Sequence, residues 1–329
     1  MIITRAPLRV SFFGGGTDFP EYFKHYSGAV LASAIEHYSY VTASTFPSGL
    51  FDHSVRLSYS KSELSRSIDD LQHPVFRECL RYCGLTRDIE LHTVADLPSF
   101  TGLGSSSSFT VALLNALHCY KGEYRTPLEL AYEAIHIERN LLKETVGFQD
   151  QTTAAVGGFN VIEFRSESEI RVRPVILNAG RLEELHQHLF LVFTGIKRRA
   201  AEIEAQKVTN FSAKRDVLGR MRAMVDEGYN LLTGGASLEK FGDLLHEAWE
   251  SKRSLSSAVS NPQIESMYDR GRKAGAWGGK LLGAGGGGFL LFCGSPEALN
   301  RLRIEFSDSY HVQLKLGAAG SQVLFAKNP

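Results

Sequence analysis

Pro98-Ser99-Phe100-Thr101-Gly102-Leu103-Gly104-Ser105-Ser106-Ser107-Ser108 joins a strand-like run, Ile89 to Val94, to a helix-like run, Phe109 to Tyr120. Glycines let backbone N–H groups approach an oxyanion closely, and a helix that begins at the serines adds unpaired N–H groups and the positive end of its dipole. The stretch therefore reads as an anion cradle, with phosphate as its guest. The chain contains no G-x-x-x-x-G-K-[ST], so neutral backbone donors and hydroxyls would have to hold a nucleotide, with a metal ion beside them. A Ser-rich helix cap or a flexible turn would carry the same letters. The choice between these readings rests on the rest of the chain.

At 329 residues, 43% hydrophobic and 22% charged, the chain can bury a full core and is expected to form two domains. Its 36 basic and 36 acidic residues cancel, so no long-range field draws nucleic acid or an anionic membrane surface. Met1-Ile2-Ile3-Thr4-Arg5-Ala6-Pro7 lacks the apolar core of a signal peptide, and no apolar run approaches the ~20 residues that span a bilayer. A cytoplasmic location and a small-molecule partner follow as expectations, with no nucleic acid, no membrane, and monomer or homodimer open. Cys79, Cys83, Cys119 and Cys293 are too few for a disulfide scaffold and lack a second metal-ligand pair, so reduced core thiols are expected.

Leu8 to Phe13 alternates like a strand and runs into Gly14-Gly15-Gly16-Thr17-Asp18, where Asp18 either caps a helix over Phe19 to Tyr26 or meets a ligand. Further strands are expected over Ala29 to Ala34, Tyr38 to Thr45 and Val55 to Tyr59, and a helix over Pro74 to Cys83. Thr126, Pro127 and Glu129 spell a capping box that opens a second clear helix, which carries Glu138. Asp150 follows in Gly147-Phe148-Gln149-Asp150-Gln151. A phosphoryl-transfer site needs one carboxylate on a metal and another near the attacking hydroxyl, although a solvated Glu followed by a turn Asp is the more common fate of such a pair.

Strands at Phe159 to Phe164, Ile170 to Val175 and Leu189 to Thr194 precede helices over Lys207 to Asn230, Leu238 to Glu250 and Pro262 to Ala274, which places a domain boundary near residue 185. Gly283, Gly285 and Gly288 match G-x-G-x-x-G, but Phe289 to Cys293 reads as a buried strand where a dinucleotide site needs a helix. That loop is better explained by packing against another backbone or a ligand. A helix, Pro296 to Phe306, and strands at His311 to Leu316 and Gln322 to Ala326 finish a small α+β unit.

Three motifs occur in order: Arg9-Val10-Ser11-Phe12-Phe13-Gly14, Gly102-Leu103-Gly104-Ser105-Ser106, and Gly283-Ala284-Gly285-Gly286-Gly287-Gly288. In this order the chain resembles the GHMP small-molecule kinases over nearly its whole length. The resemblance implies an α+β, two-domain fold. Residues 1–185 would form a nucleotide-binding mixed-sheet domain of the ribosomal protein S5 domain 2-like type, and residues 186–329 a ferredoxin-like α/β sandwich. Among the branches, the Gly-Gly-Gly-Thr-Asp turn, the Gly-Phe-Gln-Asp-Gln segment and the last glycine loop are similar to those of the heptose 7-phosphate kinases.

Carried over by motif, the resemblance implies ATP and Mg²⁺, with Pro98, Gly102, Leu103, Gly104, Ser105, Ser106 and Ser107 around the ATP phosphates. It places the Ser106 hydroxyl and Glu138 on the metal, Asp150 as catalytic aspartate, and Arg9 beside it to stabilise developing negative charge. Asp18 matches an aspartate that binds sugar hydroxyls, with Gly15, Gly16, Thr17, Gly285 and Gly286 around the same substrate. Gly15 and Gly16 replace the acidic and histidine side chains of galactokinases, which argues against galactose and leaves room for a larger or phosphorylated sugar. The implied reaction is phosphorylation of the anomeric hydroxyl of a heptose phosphate, giving a 1,7-bisphosphate for nucleotide-activated heptose. Another sugar 1-kinase, or a regulator that binds sugar and ATP without chemistry, would keep the same motifs. For the sugar's distal phosphate, Thr194-Gly195-Ile196-Lys197-Arg198-Arg199 offers Arg198 as a planar fork and Lys197 as a point charge, and a solvated basic loop reads as well.

Overall fold

Strand β1 (Ile2–Phe13) and the long β2 (Gly28–Thr45) pair antiparallel along nearly their whole length and form the spine of the structure, a computed structural model that describes residues 1–198 and 200–327. A register shift between Pro7 and Leu8 divides β1 into two parts. Ile2 and Ala6 pack in a core with Val111, Leu114 and Leu117 of helix Ser105–Tyr120, whereas Leu8, Val10 and Phe12 pack with Leu191, Phe241 and Phe289 further along the chain. One strand thus joins two hydrophobic cores.

The strands β3 (Val55–Ser58), β4 (Ser62–Ser65), β5 (Ile89–Ala95), β6 (Phe159–Ser166) and β7 (Glu169–Pro174) complete the first sheet on the far side of β2. The first half of β2 pairs with β6 and its second half with β5, while β3 runs parallel to β5, so the sheet is mixed. The two expected strands before residue 45 are therefore one bent strand.

The second sheet contains β8 (Leu189–Phe193), β9 (Gly278–Leu281), β10 (Phe289–Cys293) and β11 (His311–Val312), ordered β11-β8-β10-β9 with every pairing antiparallel. This fourth-first-third-second order is that of the expected ferredoxin-like sandwich. The last strand, β12 (Gln322–Ala326), departs from the expected unit and returns to the outer edge of β1, where Arg5 donates from Nε and Nη2 to Gln322 Oε1 at 3.0 and 2.9 Å. Without β12 the edge of Ile2–Arg5 would keep unpaired backbone groups. The expected strand His311 to Leu316 is likewise split, because Leu316 bridges Ile35 of the first sheet.

The expected helix Lys207 to Asn230 is two helices, Ala200–Thr209 and Arg215–Thr233. The break turns Phe211 inward, edge-on to Phe19 at 5.6 Å. Helix Leu238–Leu255 follows and packs on β9 and β10. Among the described residues no helix is long and apolar enough to cross a membrane, and the cysteines are free thiols, three of them buried. Arg199, the third cation of the expected basic loop, lies outside the described residues.

Candidate active site

Gly104 adopts a left-handed φ of 74° at the N-cap of helix Ser105–Tyr120, and no side chain caps that end. The first-turn N–H groups therefore stay on offer, as an anion cradle requires. The last glycine loop, between β9 and β10, seals the cradle. A Cβ on Gly283 would stand 2.6 Å from Gly102 Cα, and the Phe289 N–H donates to the Thr101 carbonyl at 3.1 Å. Backbone thus lies on backbone, and no helix follows the loop.

Arg9, only 4% exposed, donates from Nε and Nη2 to Asp150 Oδ1 and Oδ2 at 2.8 and 2.7 Å, and from Nη1 to the Gly102 carbonyl at 2.6 Å. The guanidinium fork therefore fixes Asp150 relative to the cradle, and the geometry excludes a surface ion pair. Asp150 lies in the first turn of helix Gln149–Val156 and keeps a quarter of its side chain exposed. A Cβ at Gly104 would press on Arg9 and on Asp150 Oδ2, so glycine is also what lets the cradle meet the carboxylate.

Glu138 sits on a π-helical turn, His136–Leu141, of the kind that often marks functional positions. Its Oε2 accepts from Ser107 Oγ at 2.9 Å and Gln151 Nε2 at 2.5 Å, whereas its buried Oε1 has no partner. Burial pushes its carboxyl up to about 7, against the hydrogen bonds from Gln151 and Ser107. A cation would relieve both features, so the donor set fits a divalent metal. The hydroxyl on Glu138 is that of Ser107; Ser106, the expected companion, is exposed in the first helical turn.

Residues 71–158 match the family described as GHMP kinases N terminal domain, and residues 233–311 match GHMP kinases C terminal. A D-glycero-alpha-D-manno-heptose 7-phosphate kinase of Campylobacter jejuni is 33% identical over 311 residues, 90% of each chain. The chain belongs to the GHMP kinase family. It is a phosphotransferase with a hydroxyl acceptor, for which the family implies ATP as donor. A bifunctional L-fucokinase/L-fucose-1-P guanylyltransferase of Bacteroides fragilis is 27% identical over 91% of this chain and 35% of that protein. A structure of a D-glycero-D-manno-heptose 1-phosphate kinase from Bacteroides thetaiotaomicron has the same fold over the full length of both chains, with a TM-score of 0.80 at 24% identity.

In this GHMP kinase the turn after β1 departs in part from what the motifs imply. Asp18, 1% exposed, accepts from the Gly16 N–H at 2.9 Å and the Gln149 N–H at 3.2 Å, and burial raises its carboxyl to about 6. It thereby ties the turn to the start of the Asp150 helix. Thr17 is fully buried, and its hydroxyl bridges the Gly14 and Ala29 carbonyls, which makes it a clasp of the turn rather than a substrate contact. Gly15 alone of the expected turn residues faces space, beside Ser11 Oγ and the Gln149 amide. Gly285 and Gly286 are also taken up by packing: a Cβ on Gly285 would strike Val259, and the Gly286 N–H donates to the Val259 carbonyl at 2.8 Å. Pro98 is exposed, and its carbonyl accepts from Thr101 Oγ1.

Lys197 and Arg198 are exposed, and the Arg198 N–H reaches the Phe100 carbonyl at 3.4 Å, which puts this loop beside the cradle. Three lysines that the sequence did not single out, Lys207, Lys252 and Lys280, are instead buried near Arg9. Ser11 Oγ and Gln149 Oε1, buried and unpartnered, were missed as well. Ser11 and Gln149 did lie inside quoted segments, and Lys280 falls three residues before the last glycine motif; that was the one available signal.

Proposed function

We propose that this kinase transfers the γ-phosphoryl of ATP to the anomeric hydroxyl of a heptose phosphate, giving a 1,7-bisphosphate. The observation that carries the substrate is the 33% identity to the Campylobacter jejuni heptose 7-phosphate kinase over 90% of both chains. Ser11 and Gln149 support a polyhydroxylated acceptor. Each has a buried oxygen without a partner, and Ser11 Oγ and the Gln149 amide nitrogen stand beside the open face of Gly15; such unpaired groups are rare unless a ligand or water meets them.

In the proposed reaction the first-turn N–H groups and the serine hydroxyls hold the triphosphate. Asp150 orients the acceptor hydroxyl and takes its proton through a lone pair not engaged by Arg9, since each carboxylate oxygen can accept twice. Arg9 carries its charge to the junction between Asp150 and the cradle, where negative charge moves during transfer. Glu138, held through Oε2 by the Ser107 hydroxyl, and the exposed Ser106 hydroxyl of the same helical turn would hold Mg²⁺, which supplies neutralisation of the triphosphate charge.

ADP release measured over hexoses, heptoses and their phosphates tests the reading. Turnover confined to a heptose 7-phosphate is the expected result. Preference for fucose, the sugar in the name of the Bacteroides fragilis relative, would replace the acceptor, and no release with any sugar would leave a binding protein.

A further inference from the structure

Lys207, Lys252 and Lys280 come from three separate elements: helix Ala200–Thr209, helix Leu238–Leu255 and β9. All are at least nine-tenths buried, which is unfavourable for an ammonium group unless an anion meets it. Lys207 has Glu204 at 2.6 Å. Lys252 and Lys280 have no carboxylate partner among the described residues. Lys252 Nζ donates to the Leu281 and Gly283 carbonyls at 2.8 and 2.6 Å, and Lys280 Nζ donates to the Phe12 carbonyl at 2.7 Å. An ammonium has three donors, so one on Lys252 and two on Lys280 stay available.

The three ammonium groups share one region. Asn210 Nδ2 donates to the Leu255 carbonyl at 2.9 Å and locks the two helices together, and Lys207 and Lys252 each lie about one helical turn before that contact. Lys280 is anchored on Phe12, next to Ser11 and just ahead of the glycine turn. Burial lowers the Lys252 and Lys280 ammonium pKa values, Lys280 to about 7, and the neighbouring cations lower them further: Lys207 acts on both, Lys280 on Lys252, and Arg9 on each. Glu204, the partner of Lys207, is close enough to Asp18 to raise its pKa, so the cluster adjoins the acceptor-side carboxylate. Arg198, by contrast, is joined to Phe100 of the nucleotide cradle.

We propose that Lys207, Lys252 and Lys280 seat a phosphate ester carried by the acceptor, on the Asp18 side of Asp150. This assignment rests on the proposed sugar phosphate kinase reading and names what would recognise the second phosphate. The cradle has its own N–H donors for the nucleotide, whereas among the described residues Lys252 and Lys280 have donors left and no ion-paired carboxylate, and Lys207 has Glu204 alone. The exposed pair Lys197 and Arg198 then has no part in selecting the acceptor.

The test compares Lys207→Met, Lys280→Met and Arg198→Ala with the wild type, using a heptose 7-phosphate and the same heptose without phosphate. The expected result is that each lysine variant lowers the ratio of kcat/KM for the phosphorylated over the plain sugar by roughly tenfold or more, the loss of a charge-assisted contact. Equal loss against both sugars, a loss confined to KM for ATP, or the same change in Arg198→Ala with none in the lysine variants would overturn the assignment. Calorimetric titration with inorganic phosphate keeps the question open to test if no sugar is turned over, the outcome that would remove the proposed function. Binding by the wild type that weakens in Lys207→Met, at unchanged melting temperature, supports the site. Absence of phosphate binding, or binding unaffected by Lys207→Met, rejects it.

Discussion

At the scale of single residues, the site combines groups whose charges are awkward without ligands. Asp150→Asn preserves the shape of the group but removes a proton acceptor and one ionic partner of Arg9. We expect kcat to fall by ~10² or more with nucleotide binding nearly intact, since general-base work typically supplies ~10² to 10⁴. Steady-state kinetics and nucleotide titration check this, and near-normal turnover would remove Asp150 from the chemistry. Glu138 carries a pH prediction. Its carboxyl is raised on folding from 4.5 to about 7, mainly by burial. A raised carboxyl adds stability that is complete below the unfolded value and is lost as pH rises through the folded one. Lowering the pH from about 7.5 to about 5.5 should therefore favour the unliganded wild type relative to Glu138→Gln, measured as the change in Tm of each. Parallel pH profiles would show that the environment of this carboxyl has been misjudged. The same variant should need more Mg²⁺ for half-maximal rate, and unchanged dependence would take Glu138 off the metal.

At the scale of elements, glycine loops act as spacers between backbones. Gly283 has a φ of +68°, and its added Cβ would meet Gly102 at 2.6 Å, so Gly283→Ala must either shift the cradle or strain the loop. We expect a loss of ~1 to 3 kcal/mol in stability together with a raised KM for ATP, because a non-glycine residue is unfavourable there and the cradle cannot move without cost. Thermal melts and ATP saturation curves decide it; a neutral variant would mean that the two loops separate freely. Elements with local signals were the ones legible in the sequence. Thr126 and Glu129 do form their reciprocal cap, with the Thr126 N–H on Glu129 Oε2 at 2.7 Å, and the glycines before Ser105 do open a helix. What escaped reading depends on phase or distance. Whether Ser106 or Ser107 faces Glu138 is set by the residue at which the helix starts, since one position is a rotation of ~100°. Lys207 and Lys252 sit on helices where a lysine reads as solvated, and only the docking of other elements buries them.

At the scale of the whole molecule, two sheets share one continuous hydrophobic cluster, in which Leu8, Val10 and Phe12 of β1 meet Leu191, Leu245 and Phe289. The Gly283–Gly102 contact and the hydrogen bond from Lys280 Nζ to the Phe12 carbonyl cross the same junction. A single cooperative thermal transition is expected, with calorimetric and van't Hoff enthalpies equal within error. Two resolved transitions would show that the halves hold themselves up separately. The return of β12 to β1 has a bearing on how the chain comes to be folded. The ladder that completes the first sheet joins Ile2–Arg5 to Gln322–Ala326, so Arg5 and Gln322, paired in it, leave the ribosome 317 residues apart. Until the last strand emerges, the outer rim of β1 is an open template for any extended segment nearby, and pairings between such distant segments form slowly. The newborn chain is thus most exposed to clumping with its neighbours during the interval in which Arg9, Glu138 and Asp150 have all emerged and the rim of β1 still waits for Gln322–Ala326.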